Sequence, residues 1–391
     1  MLLRRIRGWA LGLASATLVV AVATFAWPEP PFPATPVPAL QISADAPFSA
    51  QLLPPQPGLI ALPARLTGRM AAGKTPGSIL HEWPSLQAVA RFQGEAVTLR
   101  LSDAVDRWRI TLDGGAVEIA RPGLMDLRIE GLAAGPHEIR AERISEWHGA
   151  AEFDGFFLDP GATPLPAPEA APRLIEFIGD SDTVGFGNTS LRRDCNSEQV
   201  FAATDTTKAF PARVARELVA DYRVIARSGI GLARNAGGEE PARTMRQLYP
   251  LALPSDPEAA SLPAPAADLL VIGLGSNDFG SDFAKDEPWQ DNETLSRDFG
   301  PALATFARAR LAENPGAELI LLAFGEYGEV LTDPYRQTAE ALAAEGFSLR
   351  LVELSKLERT ACLWHPSLSD HAKIAQILTD AIHDAWPEWG N

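Results

Sequence analysis

Two hydrophobic rhythms divide the chain. Between 58 and 158, apolar and polar residues alternate in short runs such as "AVTLRL" (96–101), "RWRITLDGGAVEIA" (107–120), "DLRIEGL" (126–132) and "HEIRAER" (137–143). A period of two is the mark of half-buried strands, and Asp113-Gly114 inside the second run is a hairpin signal. Short strands at regular spacing without a helical pattern predict an all-β sandwich of about 100 residues. From 173 to 391 the rhythm changes. Continuous apolar runs, "RLIEFIGD", "YRVIARSG", "ADLLVIGLGSND", "AELILLAFGE" and "LRLVELS", alternate with helical stretches such as "AFPARVARELVADY" and "DFGPALATFARARLAEN". Runs of this kind predict an α/β domain with a parallel sheet flanked by helices, whose reactive groups sit in loops at the carboxyl ends of the strands.

Composition sets the boundaries. Many of the 33 prolines concentrate in 28–57 and 159–172, which read as a spacer and an interdomain linker. Ahead of them, residues 1–27 carry Arg4, Arg5 and Arg7 and then twenty uncharged residues from Gly8 to Trp27. This is the pattern of a signal peptide or of an uncleaved N-terminal membrane anchor, and either one places the rest of the chain in the periplasm or outside the cell. An exported chain meets an oxidising compartment, so Cys195 and Cys362 are expected to form a disulfide, two unpaired buried thiols being the alternative. The formal charge of −16 repels phosphate backbones and excludes nucleic acid as a partner.

Four blocks carry the chemistry. "GDSDTVGFGN" (179–188), "SGIGLARN" (228–235) and "GLGSND" (273–278) each follow a predicted strand, and "WHPSLSDH" (364–371) follows the last. A serine hydroxyl needs an imidazole to take its proton, and a tetrahedral oxyanion needs fixed N–H donors. Ser181, Gly229, Asn277 and His365 are the residue types that meet those needs. Of the other histidines, His81, His137 and His148 fall in the sandwich, and His371 and His383 fall in the terminal helical pattern, where solvated or capping roles are expected.

These blocks resemble those of the SGNH (GDSL-like) hydrolases over residues 173–386. The chain beyond the leader, including "HEWPSLQAVARFQG", "FDGFFLD", "GSNDFGSDFAKDEPW" and "CLWHPS", is similar to carbohydrate esterase family 2. The resemblance implies a jelly-roll sandwich followed by a flavodoxin-like esterase domain. It also implies removal of O-acetyl groups from carbohydrate such as acetyl xylan, with no metal or cofactor. Ser181 would be the nucleophile and His365 the base. Gly229 and Asn277 would hold the oxyanion, and Trp364 and Trp289 are expected to stack on sugar. A lipase or thioesterase acting on another ester, and a catalytically weak glycan-binding protein, are the competing readings.

The chain departs from the pattern where an orienting acid is usual, since Cys362 and Leu363 stand three and two residues before His365. A Ser–His dyad is therefore expected, with a backbone carbonyl, for instance that of Trp364, fixing the imidazole. Asp180 is expected to brace the turn, and Asp182 to be a charge at a helix start.

Overall fold

The computed structural model describes residues 37–390. The expected leader (1–27) and the first part of the spacer (28–36) lie outside the described residues.

The alternating segment folds as two packed antiparallel sheets of seven strands each. Alternation places one face of every strand inward, so Phe92, Trp108, Ile110, Ile139, Phe153 and Phe156 meet in a single core. Asp113 and Gly114, both at positive φ, make the two-residue turn that joins Arg107–Leu112 to Gly115–Ala120.

The sandwich begins earlier than expected. Strand Leu40–Ile42 pairs with Gly115–Ala120, and strand Ser49–Leu53 pairs with Gly123–Glu130, both inside the segment read as a spacer. Between Pro38 and Pro54 the only proline is Pro47, which leaves two stretches able to donate to a ladder. The average composition of 28–57 concealed this local change. Residues 159–172 begin with a turn in which the Ala162 N–H is donated to the Asp159 carbonyl, and Thr163–Pro164 is bridged to Gln93 and Phe92.

The second domain is built on a five-stranded parallel sheet. Its strands are β1 (Leu174–Gly179), β2 (Asp221–Ala226), β3 (Leu269–Gly273), β4 (Glu318–Phe324) and β5 (Leu349–Leu354), in the spatial order β2-β1-β3-β4-β5. This is the flavodoxin-like arrangement, and its crevice lies beyond the carboxyl ends, where the order reverses at β1. Every residue of β1 and β3 is buried, as central strands covered on both faces require.

The two domains share more than a linker. Trp83, from the sandwich segment, packs in the core of the second domain and donates Nε1–H to the Leu251 carbonyl at 3.0 Å. Glu82 accepts the Ser255 N–H and hydroxyl, both at 2.7 Å. Arg109 pairs with Asp205 at 2.7 Å and Arg65 with Asp221 at 2.7 Å.

Candidate active site

The Ser181 segment is fixed within a dozen residues. β1 ends at Gly179, where any Cβ would lie 2.0 Å from Thr183 Oγ1, so only glycine lets the chain turn here. Asp180 is extended and caps the helix Ser181–Val184 by accepting the Asp182 N–H at 2.9 Å, while its other oxygen accepts the Ser276 hydroxyl. Gly185, at φ 84°, closes the turn. Ser181 thus stands at the head of a buried helix start, 6% exposed.

His365 Nε2 lies 2.9 Å from Ser181 Oγ, and Nδ1 lies 2.9 Å from the Cys362 carbonyl oxygen. A carbonyl can only accept, so Nδ1 carries the proton and the Nε2 lone pair faces the serine hydroxyl. That is the tautomer a general base needs. The Phe186 ring packs at 4.5 Å from the imidazole.

The two expected oxyanion donors come from the loops after β2 and β3. Gly229 has φ 82° with open space where a Cβ would be, so it is glycine for conformation rather than for fit. Its carbonyl accepts the Ala236 N–H at 2.9 Å. Asn277 donates one amide hydrogen to the Ile230 carbonyl at 2.8 Å, which orients the side chain and leaves the second hydrogen to face the cavity. Asp278 fastens the same two loops by accepting the N–H groups of Leu232, Ala233 and Arg234 at 2.7–3.0 Å. Burial nevertheless pushes its carboxyl up to about 6.

Asp182 is buried and forms two hydrogen bonds with Arg359, at 3.0 and 2.6 Å, and Arg359 also pairs with Glu326. Burial pushes Asp182 up, but the Arg359 charge and hydrogen bonds outweigh it and hold the carboxyl below the usual range. Asp180 moves the other way, to about 8, because it is buried and faces Asp182. Ser181, Asn277, Tyr327, Arg359, Trp364 and His365 line one open depression of about 280 Å³.

The two domains match separate family models, "Carbohydrate esterase 2 N-terminal" at 66–168 and "GDSL-like Lipase/Acylhydrolase family" at 177–383. An acetylxylan esterase / glucomannan deacetylase of Cellvibrio japonicus is 33% identical over 334 residues, which are 84% of this chain and 92% of that protein. The chain belongs to carbohydrate esterase family 2. A solved carbohydrate esterase, described as having an active site with divergent catalytic and non-catalytic binding functions, superposes with a TM-score of 0.77 at 30% identity, covering 84% of this esterase and 99% of that chain. A family 2 enzyme with a carbohydrate-binding domain from Corynascus thermopiles gives 0.69 at 26% identity, covering 83% and 100%.

Several expectations about the esterase need correction. Trp289 does not reach the depression. It precedes the cap of helix Asn292–Glu313 and lines a separate groove with Pro301, Ala302 and Thr305, its indole N–H donated to Asp298 at 2.8 Å. Proximity in sequence to the third block was misleading, because the helix that follows takes the ring away. Trp364 does line the depression, 63% exposed, with the Arg193 guanidinium 3.8 Å above its ring. Its carbonyl is not the imidazole's acceptor; it faces Arg359 at 3.4 Å, and Cys362 takes that place. The Cys195–Cys362 disulfide is formed, with Cα atoms 5.4 Å apart. His371 is not solvated, and the helix-start N–H that it takes up belongs to helix Phe210–Glu217. It is fully buried, accepts the Phe210 N–H at 3.2 Å, and is pushed down to about 4 by burial.

Sequence reasoning missed Tyr327 and Arg359. Tyr327 sits in "GEYGE" just past β4, so the rule that pointed to the loops after β1, β2 and β3 also marks this one. Arg359 gave no comparable signal, since its partners Asp182 and Glu326 are 177 and 33 residues away.

Proposed function

We propose that this protein is an exported serine esterase that removes O-acetyl groups from polysaccharide through an acyl-enzyme, using a Ser–His dyad. The observation that carries the reading is the 2.9 Å contact between Ser181 Oγ and a His365 ring whose tautomer is fixed by a main-chain carbonyl. Ser181 Oγ attacks the ester carbonyl carbon while its proton passes to His365 Nε2. The tetrahedral oxyanion is held by Asn277 Nδ2 and by the N–H groups of Ser181 and Gly229. The C–O bond to the sugar breaks, the sugar alkoxide takes the proton from Nε2, and the acetyl group stays on Ser181. Water then attacks the acetyl carbon while Nε2 takes its proton, the bond to Ser181 Oγ breaks as Oγ takes that proton back, and acetate leaves.

Two features favour a short acyl group on a carbohydrate. The depression holds about 280 Å³, with Ser276, Ser281, Asn277 and Arg359 supplying polar groups beside Tyr327, Leu363 and Trp364, a size that suits an acetyl group better than a long acyl chain. Trp364 presents an exposed ring beside the base, suited to the C–H face of a sugar. The similarity to an acetylxylan esterase / glucomannan deacetylase supports acetylated xylan and mannan as first substrates. Export is supported by the leader pattern of residues 1–27 and by the disulfide.

The test is acetate release from acetylated xylan, glucomannan and bacterial glycans, with Ser181→Ala as control, alongside p-nitrophenyl acetate and octanoate. The expected outcome is release from at least one polysaccharide, none with Ser181→Ala, and preference for acetate. Preference for octanoate without acetate release from any glycan would overturn the reading in favour of a lipase.

A further inference from the structure

We infer that Glu146, on the β-sandwich, is a positioning residue for the oxyanion side of the esterase site. The inference rests on the reading of Gly229 as an oxyanion donor. Glu146 lies in the turn after strand Pro136–Arg143, and its side chain is 8% exposed. One carboxylate oxygen accepts the Ser228 N–H at 2.7 Å, and the other accepts the Ser228 hydroxyl. A single carboxylate from one domain thus grips both main chain and side chain of the residue that precedes Gly229 in the other. His148 Nε2 stands 3.1 Å from Glu146 Oε1 and lines, with Gly229 and Ala236, a hollow that borders the catalytic depression. Burial pushes the Glu146 carboxyl up, but the bonds from His148 and Ser228 outweigh it and keep the group ionised.

Gly229 needs such a hold. Glycine has more accessible backbone conformations than any other residue, and residues 227–231 belong to neither a helix nor a strand. The second domain fixes this loop from one side, through Asn277 on the Ile230 carbonyl and Asp278 on the N–H groups of 232–234. Glu146 fixes the other side. The Gly229 N–H meets no acceptor among the described residues, as a preorganised donor should. The sandwich therefore completes the geometry of the reaction centre, beyond any part it plays in glycan binding.

The test uses the full chain with Glu146→Ala and Glu146→Gln on p-nitrophenyl acetate, and a trifluoromethyl ketone whose adduct with Ser181 sets an oxyanion against the same donors. Glu146→Ala should lower kcat about twentyfold, less than outright loss of an oxyanion donor, with KM within about twofold and ketone affinity falling in parallel with kcat. Glu146→Gln can still accept the Ser228 N–H and should recover to within about threefold of the unmodified enzyme. A folded Glu146→Ala whose kcat and ketone affinity stay within about twofold of the unmodified enzyme overturns the inference. If Glu146→Ala does not fold, Ser228→Ala serves, with kcat expected to fall about fivefold and an unchanged value overturning the inference. Ser181→Ala separates the two claims: retained turnover there removes the reading of the site and this inference with it, whereas an inactive Ser181→Ala beside an unaffected Glu146→Ala removes only the role of Glu146.

Discussion

Ser181 and His365 are held by different means. Residues 174–184 are all buried, and the bonds that aim Ser181 come largely from its neighbours Asp180, Asp182 and Gly185. His365 arrives on an irregular segment after β5 that contains three non-glycine residues at positive φ, namely Arg359, Leu363 and Trp364. Such conformations cost of order 1–3 kcal/mol each and persist where the surroundings impose them. Here the surroundings are distant in sequence. Cys362 is bonded to Cys195, the Leu363 N–H is donated to the Arg193 carbonyl at 2.7 Å, and Arg359 reaches Asp182. Gly187 belongs to the same arrangement, because a Cβ there would lie 2.4 Å from Cys362 Cβ. A local fold presents the serine, and long-range ties bring the histidine to it.

Removing the His365 imidazole should have the largest effect. His365→Ala should lower kcat by about 10⁴-fold or more with folding intact, as loss of a general base does in serine hydrolases. A kcat within tenfold of the unmodified enzyme would take His365 out of the mechanism. Asn277→Ala should cost about a hundredfold in kcat with a modest change in KM, the usual consequence of losing one oxyanion donor; an unchanged kcat would dismiss Asn277.

Breaking the ties should separate the two sides. Arg359→Ala leaves Asp182 buried without its cation, which should destabilise the protein by about 3–5 kcal/mol and lower kcat about tenfold through misplacement of the histidine. Urea unfolding beside kinetics checks both, and an unchanged midpoint would show that the pair does not join the two sides. Reducing the disulfide releases a 167-residue loop, worth ~5 kcal/mol in the chain-entropy model. It should slow turnover a few-fold at temperatures where circular dichroism is unchanged, because the Cys362 carbonyl holds the imidazole. Activity and ellipticity lost together would indicate a purely structural bridge. The smallest effect belongs to Leu363→Asp. The imidazole already has its acceptor, and aspartate tolerates φ 50° better than leucine does, so kcat should stay within about threefold.

The same contrast governs what the sequence made legible. The alternation of 96–143 and the apolar runs of 173–355 gave both domains, because burial on one face or on two leaves a direct pattern. The positions of Ser181, Gly229 and Asn277 just past three strands were legible because the apolar run of each strand fixes where it ends. The orienting group of His365 was not, since a carbonyl has no side-chain signature and any of several residues could supply it. Arg359 was missed for a related reason: an arginine followed by threonine and alanine reads as surface until the fold lays it against Asp182. Trp289 shows the reverse error, a residue next to a motif in sequence that the following helix carries elsewhere.

The central claim is a dyad whose imidazole is held by the main chain, and the acid best placed to contradict it is Asp182, which neighbours Ser181 and whose carboxyl is lowered in part by the His365 ring. Its oxygens are bonded to Arg359, not to the imidazole. The decisive measurement is kcat on p-nitrophenyl acetate for folded Asp182→Asn beside His365→Ala. A loss of about tenfold or less for Asp182→Asn, against about 10⁴-fold or more for His365→Ala, is the predicted result. Equal losses would make Asp182 the third member of a triad and contradict the account.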